Sequence, residues 1–341
     1  MNRPSALDRQ QSGLEAELQS VVGGEKSPLL DMIRFQLGWI DHMRMPAAHG
    51  KPDRVHGTVC LLATAAAGGD PETALPAAAA AELACAFMDI HEDLRQGITG
   101  EAERPTLWWS WGSSQGINAG DGAYSLARLA VLRLEERGVP AARVVQTAMA
   151  LDQACLAYAE AQYRVIAGEG EALRDPDTYV DLMEGKAGEL FGLAATLGVR
   201  ATGGSEEATG ALRAYGRKVG CAWQLAREVE TFWGSGATAS ASLIESIDKG
   251  IALPVLYAWA HGSPEDVTHL EAVRRREHVL DDATMAATLV VIERTGARAH
   301  AEDTRRRMVS EAKAALAEVK LDDTSVRELD RLAVYLANVD G

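Results

Sequence analysis

Apolar positions recur at helical spacing along almost the whole chain, with glycine and proline closing each run. The clearest run is Ala77 to Leu94, preceded by Pro76, rich in alanine and free of internal glycine or proline. It predicts a buried helix. Upstream, Pro28 to Arg44 reads as a helix that breaks over Pro46 to Gly50, and Val55 to Ala67 reads as a second, apolar nearly all round and closed by Gly68-Gly69. Arg95 to Arg104 is a polar loop, and Pro105 opens a tryptophan-bearing segment, PTLWWSWG. Further helices are predicted over Asp121 to Arg137, Pro140 to Ala167, Thr178 to Leu197 and Glu206 to Gly234. Thr238 to Gly250 reads as a loop with a short helix. Pro254 to Trp259, Asp266 to Glu277, Asp281 to Thr295, Ala297 to Val319 and Thr324 to Asn338 complete the series.

No run alternates with period two between hairpin turns, so the expected fold class is all-α, with about a dozen helices. Residues 1–26 read as a polar N-terminal arm with a short helix over Gly13 to Val22, and 27–341 as a single domain, because no linker-like stretch divides them.

Composition narrows the class. The 341 residues are 47% hydrophobic but only 5% aromatic, so alanine, leucine and valine must fill the core. A formal net charge of −15 argues against a nucleic-acid partner and against anionic membranes. Cys60, Cys85, Cys155 and Cys221 lack metal-type spacing and are expected to be reduced and buried. The first twenty residues lack the apolar core of a signal peptide, and no window is apolar enough to span a membrane, so a cytoplasmic location is expected.

The end of the alanine-rich helix carries the candidate chemistry. Asp89, Glu92 and Asp93 stand at i, i+3 and i+4 and share one helical face. Three crowded carboxylates are tolerable beside water, a cation or a basic partner. A hard divalent ion such as Mg²⁺ would satisfy them, and so would an exposed helix end. His42, His49, His56, His91 and His261 lack ligand spacing.

Several segments, taken together and in order, resemble the trans-isoprenyl diphosphate synthases (polyprenyl synthetases) from about Leu37 to the C-terminus. Gly50-Lys51-Pro52-Asp53-Arg54 resembles the family's GKRxR, and Glu82 to Leu94 its first aspartate-rich helix. Arg104-Pro105-Thr106 and Ile117 to Asp121 resemble its RPT and INAGD-type turn. Tyr179 to Gly188 resembles its Lys-Thr-Gly helix, and Tyr215 to Gly234 its second aspartate-rich helix. The resemblance implies an isoprenoid-synthase-type orthogonal helical bundle around a deep apolar cavity, a prenyl diphosphate substrate, Mg²⁺, and a homodimer or a heterodimer with an active synthase. In the family, two DDxxD motifs face each other across the cavity mouth and hold metal ions that draw off pyrophosphate, leaving an allylic cation.

The chain departs from that pattern where the chemistry occurs. The first motif reads Glu92-Asp93-Leu94-Arg95-Gln96, with an amide in the third acidic position, which Asp89 could replace. The second reads Gln224-Leu225-Ala226-Arg227-Glu228-Val229-Glu230-Thr231. Glu228 and Glu230 diverge by about 200° on a helix. Arg227 puts a fixed cation where the family has a ligand, either gripping diphosphate directly or closing the metal site through a salt bridge. Pro52 replaces the middle arginine of GKRxR, and Glu101, Ala102 and Glu103 stand where an arginine pair is usual. Lys249 lies near a later basic pair. By this resemblance the metal ligands are Asp89, Glu92, Asp93 and Glu228. The catalytic candidates are Glu92, Asp93, Arg227 and Glu228, and the substrate-binding candidates are Lys51, Arg54, Phe87, Met88, Lys186 and Gln224. Phe87 and Met88 match the bulky floor that keeps chains short, or are ordinary core. Trp108, Trp109, Trp111, Trp223 and Trp233 are either core or cation–π walls.

These departures favour a terpene synthase or cyclase-like enzyme that ionises one prenyl diphosphate. The alternatives are a prenyltransferase of the geranyl, farnesyl or geranylgeranyl diphosphate synthase type, condensing with isopentenyl diphosphate, and a non-catalytic regulatory subunit of such a synthase.

Overall fold

The computed structural model describes residues 3–47, 52–101, 104–168, 175–234, 243–244, 246–247, 250–275 and 281–339. Helices dominate these residues. α1 (Ser5–Val22), α2 (Pro28–Gln36), α3 (Val55–Ala66) and α4 (Leu75–Gln96) precede a two-residue antiparallel ladder, β1 (Gly100–Glu101) with β2 (Arg104–Pro105). α5 (Leu107–Trp111), α6 (Ser113–Leu132), a 3₁₀ turn, α7 (Ala141–Gly168), α8 (Pro176–Gly185), α9 (Ala187–Thr202) and α10 (Glu206–Trp233) follow. α11 (Leu253–His261), α12 (Pro264–Arg274), α13 (Asp282–Arg294), α14 (Ala297–Ala317) and α15 (Asp323–Leu336) complete the chain. The all-α expectation holds.

By its contacts the chain divides into two compact units. The first comprises Met1–Cys155, Leu190–Gly216 and Ala315–Leu332, and the second Leu156–Glu189, Arg217–Ala314 and Ala333–Gly341. The sequence, read as one domain, showed no linker because each unit is assembled from several separated stretches. In the first unit α4 is buried on every side through Ala86, and packs on α3 and α6. Small alanines let these helices approach closely, and burial of many small side chains replaces the few large aromatics. The second unit has its own core, in which Phe232, Val255, Leu270 and Ile292 meet.

Two expectations are corrected. Residues 5–22 are not a polar arm: Ala6, Leu7, Leu14, Leu18 and Val22 are buried, and α1 packs on α3 and α4. Its apolar stripe is narrow and interrupted by glutamates, which disguised it. α2 stops at Gln36 rather than Arg44, because Gly38 adopts φ 72° and a Cβ there would meet Pro52 Cδ at 2.7 Å. The chain then turns back so that Ile40 bridges Pro46.

Several helices begin on their own side-chain cap, as Asp175 does for α8 and Asp281 for α13. α3 does not, since Arg54 occupies its N-cap. The Glu82 carboxylate of α4 accepts from the Gly57 N–H at 2.7 Å instead. Burial pushes the Glu82 pKa up to about 7, against the pull of Arg54 and the Gly57 N–H toward the ionised form.

A carboxyl whose pKa is raised on folding binds more protons folded than unfolded between about 4.5 and about 7, so its contribution to stability falls as pH rises through that window. Glu82→Gln keeps an acceptor for Gly57 but has no charge to bury. Relative to the wild type, the variant should therefore gain on the order of 1–3 kcal/mol between pH 5 and pH 8. Urea unfolding at the two pH values measures this, and a pH-independent difference would show that Glu82 is not the titrating group.

Candidate functional site

The first unit carries the acids at the C-terminal end of α4. Asp89 is exposed, and Glu92 and Asp93 are half-buried. The helix ends at Gly97 in the left-handed region, so the acids stand where the helix dipole disfavours negative charge. Arg95 compensates: its Nε and Nη2 donate to the two Glu92 oxygens at 3.1 and 3.0 Å. Gln96 Nε2 adds a third donor at 2.7 Å. The amide in the third acidic position thus attracts Glu92, where a carboxylate would repel it.

One turn earlier, Phe87 is half-buried beneath His91, with centroids 4.9 Å apart, and beside Tyr124 at 5.3 Å. The Tyr124 hydroxyl donates to Asp152 at 2.7 Å, which fixes that wall. His91 lies so close to α6 that a Cβ on Gly120 would clash with its Nε2. That contact accounts for a glycine in the middle of a helix. Met88 points into the core and is buried, so of the two floor candidates only Phe87 presents surface.

Arg54 was expected to grip substrate. In the structure only 4% of it is exposed, its Nε donates to Glu15 at 2.6 Å, and its Nη2 donates to the Leu37 carbonyl at 2.7 Å. Glu15 also accepts from Trp39 Nε1 at 2.8 Å. Arg54 therefore ties α1 to the start of α3, and its donors are directed inward. Lys51, Lys249, Ala102 and Glu103 lie outside the described residues.

The second unit holds the other motif. Glu228 is 7% exposed. Its Oε1 accepts from the Tyr179 hydroxyl at 2.6 Å and from Gln224 Nε2 at 3.3 Å, and its Oε2 accepts from the Leu253 N–H at 3.0 Å. Leu253 is the first residue of α11, whose N-cap, Ala252, has no side chain able to cap. Glu228 is thus a borrowed cap. Burial raises its pKa, while Tyr179, Leu253, Gln224 and the charge of Lys186 pull it back down. Lys186 follows α8 and lies over the Tyr158 ring at 5.8 Å. Arg227 points outward and stacks on Trp223 at 4.8 Å. Adjacent residues on α10 lie about 100° apart, which turns one to solvent and the other to the core.

The tryptophans divide in the same way. Trp108 Nε1 donates to the Ile98 carbonyl, Trp111 packs edge-on against Phe35, and Trp233 lies beside Phe232 and Arg298. Trp109 alone of the three on α5 is exposed, at 61%.

Carboxylate oxygens are the right donors for Mg²⁺. Yet Glu92 is engaged by Arg95 and Gln96, and Glu228 by three donors of its own unit. Among the described residues no three His, Cys, Asp or Glu side chains come together to hold a metal ion. Within the first unit, Asp89, Glu92 and Asp93 share one end of α4 but are not among any such three-ligand group. Glu15 and Tyr179 were not singled out from the sequence, since nothing in a local pattern reveals partners 39 and 49 residues away.

An all-α chain with an acid-bearing helix α4 and a Lys–Gln–Glu cluster around α8 and α10 has the architecture of isoprenoid synthases. A polyprenyl synthetase of known structure from Streptomyces coelicolor A3(2) superposes with a TM-score of 0.85 at 24% identity, covering 97% of this chain and 98% of that one. The polyprenyl synthetase family model matches residues 41–290, and the chain belongs to that family. A (2E,6E)-farnesyl diphosphate synthase of Mycobacterium tuberculosis is 28% identical over 317 residues, 90% of this chain and 85% of the relative. A geranylgeranyl diphosphate synthase of the same organism is 27% identical over 289 residues, 84% and 81% of the two chains.

Removing the Glu228 side chain would leave the Tyr179 hydroxyl and the Leu253 N–H buried without their acceptor. Glu228→Ala should cost about 2–4 kcal/mol in urea unfolding, and Glu228→Gln, which keeps an acceptor oxygen, about 1 kcal/mol. Equal stability for all three proteins would refute the capping role.

Proposed function

We propose that this chain is a prenyltransferase of the farnesyl or geranylgeranyl diphosphate synthase type, joining an allylic prenyl diphosphate to isopentenyl diphosphate. The observation that carries this reading is its near full-length similarity to two named synthases of that type. In the reaction the allylic C1–O bond breaks and pyrophosphate leaves. The isopentenyl double bond attacks C1 to form a carbon–carbon bond, and a proton is lost from the new chain. In the first unit, Asp89, Glu92 and Asp93 of α4 are the residues we assign to this chemistry. In the second unit, taken by itself, Lys186 and Gln224 are the groups we assign to binding an anion. Arg54 is left out because its donors are held by Glu15 and Leu37.

The sequence alone put cyclisation ahead of elongation. That order is reversed here, since the relatives are synthases and nothing found supports ring closure. A second reading, the non-catalytic subunit, is favoured by one observation: Arg54, Glu92 and Glu228 each donate to or accept from groups of their own unit.

Geranyl, farnesyl and geranylgeranyl diphosphate, each supplied in Mg²⁺ buffer with and without isopentenyl diphosphate, separate these readings by product mass. A longer diphosphate formed only with isopentenyl diphosphate is expected. Hydrocarbon from one diphosphate alone would restore the cyclase, and no product would favour the subunit. Phe87→Ala should extend the product by one or more five-carbon units if Phe87 limits chain length, whereas an unchanged product would make it core.

We also propose that the chain forms a homodimer. Leu129 and Leu132 on α6, and Val145 and Met149 on α7, are large apolar side chains left exposed in i, i+3 and i, i+4 pairs. Light scattering should return twice the 36.4 kDa chain mass, and a mass of one chain would exclude the dimer.

A further inference from the structure

Three rings stack at the C-terminal end of α11 in the second unit. The Tyr257 ring lies between two imidazoles, with centroids 4.1 Å from His261 at an interplanar angle of 16° and 4.2 Å from His300 at 21°. Tyr257 and His261 stand at i and i+4 on α11, whereas His300 comes from the start of α14. The stack therefore ties one helix to the other through flat ring faces. The opposite end of α11 is fastened by Glu228, which accepts from the Leu253 N–H. Titratable side chains thus hold both ends of α11.

The two imidazoles differ in their surroundings. His261 is exposed, and its Nδ1 donates to the Tyr257 carbonyl at 3.2 Å, which assigns the proton of the neutral ring to Nδ1. His300 is half-buried, and its Nε2 is shut off from solvent and makes no hydrogen bond. Protonating that ring would bury an N–H and a charge with neither water nor an acceptor. A single imidazolium on the face of Tyr257 gains cation–π attraction, yet burial is the largest influence on His300 and holds its pKa below the ordinary value. Among the described residues, Asp177 on α8, which packs on α11, and Asp303 on α14 pull the other way. His261 and Arg307 reinforce the shift. Both of the α14 charges are already engaged, Asp303 by Arg306 at 2.5 Å and Arg307 by Glu311 at 3.3 Å.

We propose that the His261–Tyr257–His300 stack is a pH-sensitive latch that holds α11 against α14 near neutrality and lets go in mild acid. In the closed latch His300 is neutral. Once the contact opens, water reaches the ring and it takes a proton, so acid favours the open form. The closed state binds fewer protons than the open one below about pH 6.5, and closure therefore weakens as pH falls through that value. The latch does not depend on the elongation reading, because no substrate group takes part in it.

Hydrogen exchange of the full-length protein, read by mass on peptides covering Leu253–His261, measures the latch. After division by the intrinsic exchange rate, opening should be up to about tenfold more frequent at pH 5.5 than at pH 7.5. His300→Phe keeps a ring on Tyr257 but cannot take a proton, and there the ratio should fall to about one. NMR titration of the wild-type protein should show His300 charging below about pH 6.5, and Tyr257→Leu, which uncovers the ring, should move that midpoint up toward about 6.5. An equal acid response in wild type and His300→Phe would overturn the proposal. So would a wild-type His300 midpoint at or above about 6.5, or one that Tyr257→Leu leaves in place. Peptides covering Val55–Ala66 serve as the control, since buried His56 belongs to the other unit. Acid opening those peptides as much as α11 would mean global unfolding and would refute the latch.

Discussion

A carboxylate can remain inside a helical protein only where fixed donors replace the water it has lost. Glu82 and Glu228 both meet that condition through the N-terminus of another helix. The free N–H groups at a helix start need acceptors, and the helix dipole favours negative charge there. One contact therefore satisfies two buried groups, and it fixes how α4 meets α3 in one unit and how α10 meets α11 in the other. Arg54 and Glu15 follow the same rule with opposite charges, each filling the other's requirement. The packing of small residues around these contacts leaves little room for alternative arrangements.

This rule changes the meaning of the family's motif positions. Asp89, Glu92 and Asp93 keep their place at the end of α4, where water reaches them, and Arg95 and Gln96 moderate their repulsion. Glu228 sits at a motif position but has been drawn into the fold. Arg227, beside it, has gone the other way, out onto the face of Trp223. A motif letter records the position of a side chain along a helix, whereas its role depends on which neighbour supplies its hydrogen bonds.

The sequence was most informative where periodicity was strong. The alanine-rich run located α4 almost to the residue, and the order of the short motifs identified the family before any coordinates. It misled where the pattern was mixed. α1 was hidden by its glutamates, although one of them, Glu15, is the partner Arg54 needs. α2 was drawn too long because Leu37 to Arg44 keeps helical spacing past a glycine that the fold requires in the left-handed region. α6 begins at Ser113 rather than at Asp121, because Gly120 belongs to the helix and takes the close approach of His91. Glu82 did leave a signal, as the single charge in a run of alanines. Its donor could not be named, because Gly57 lies in another helix.

The borrowed cap on α11 also constrains how this sequence can change over generations. An aspartate at position 228 would shorten the side chain by one methylene and withdraw it from the Leu253 N–H. A lineage acquiring aspartate there would pass through a less stable intermediate. If Ala252 first became serine, α11 would carry its own cap and position 228 would be released. The two positions are thus epistatic, and the order in which they mutate decides whether the route is passable.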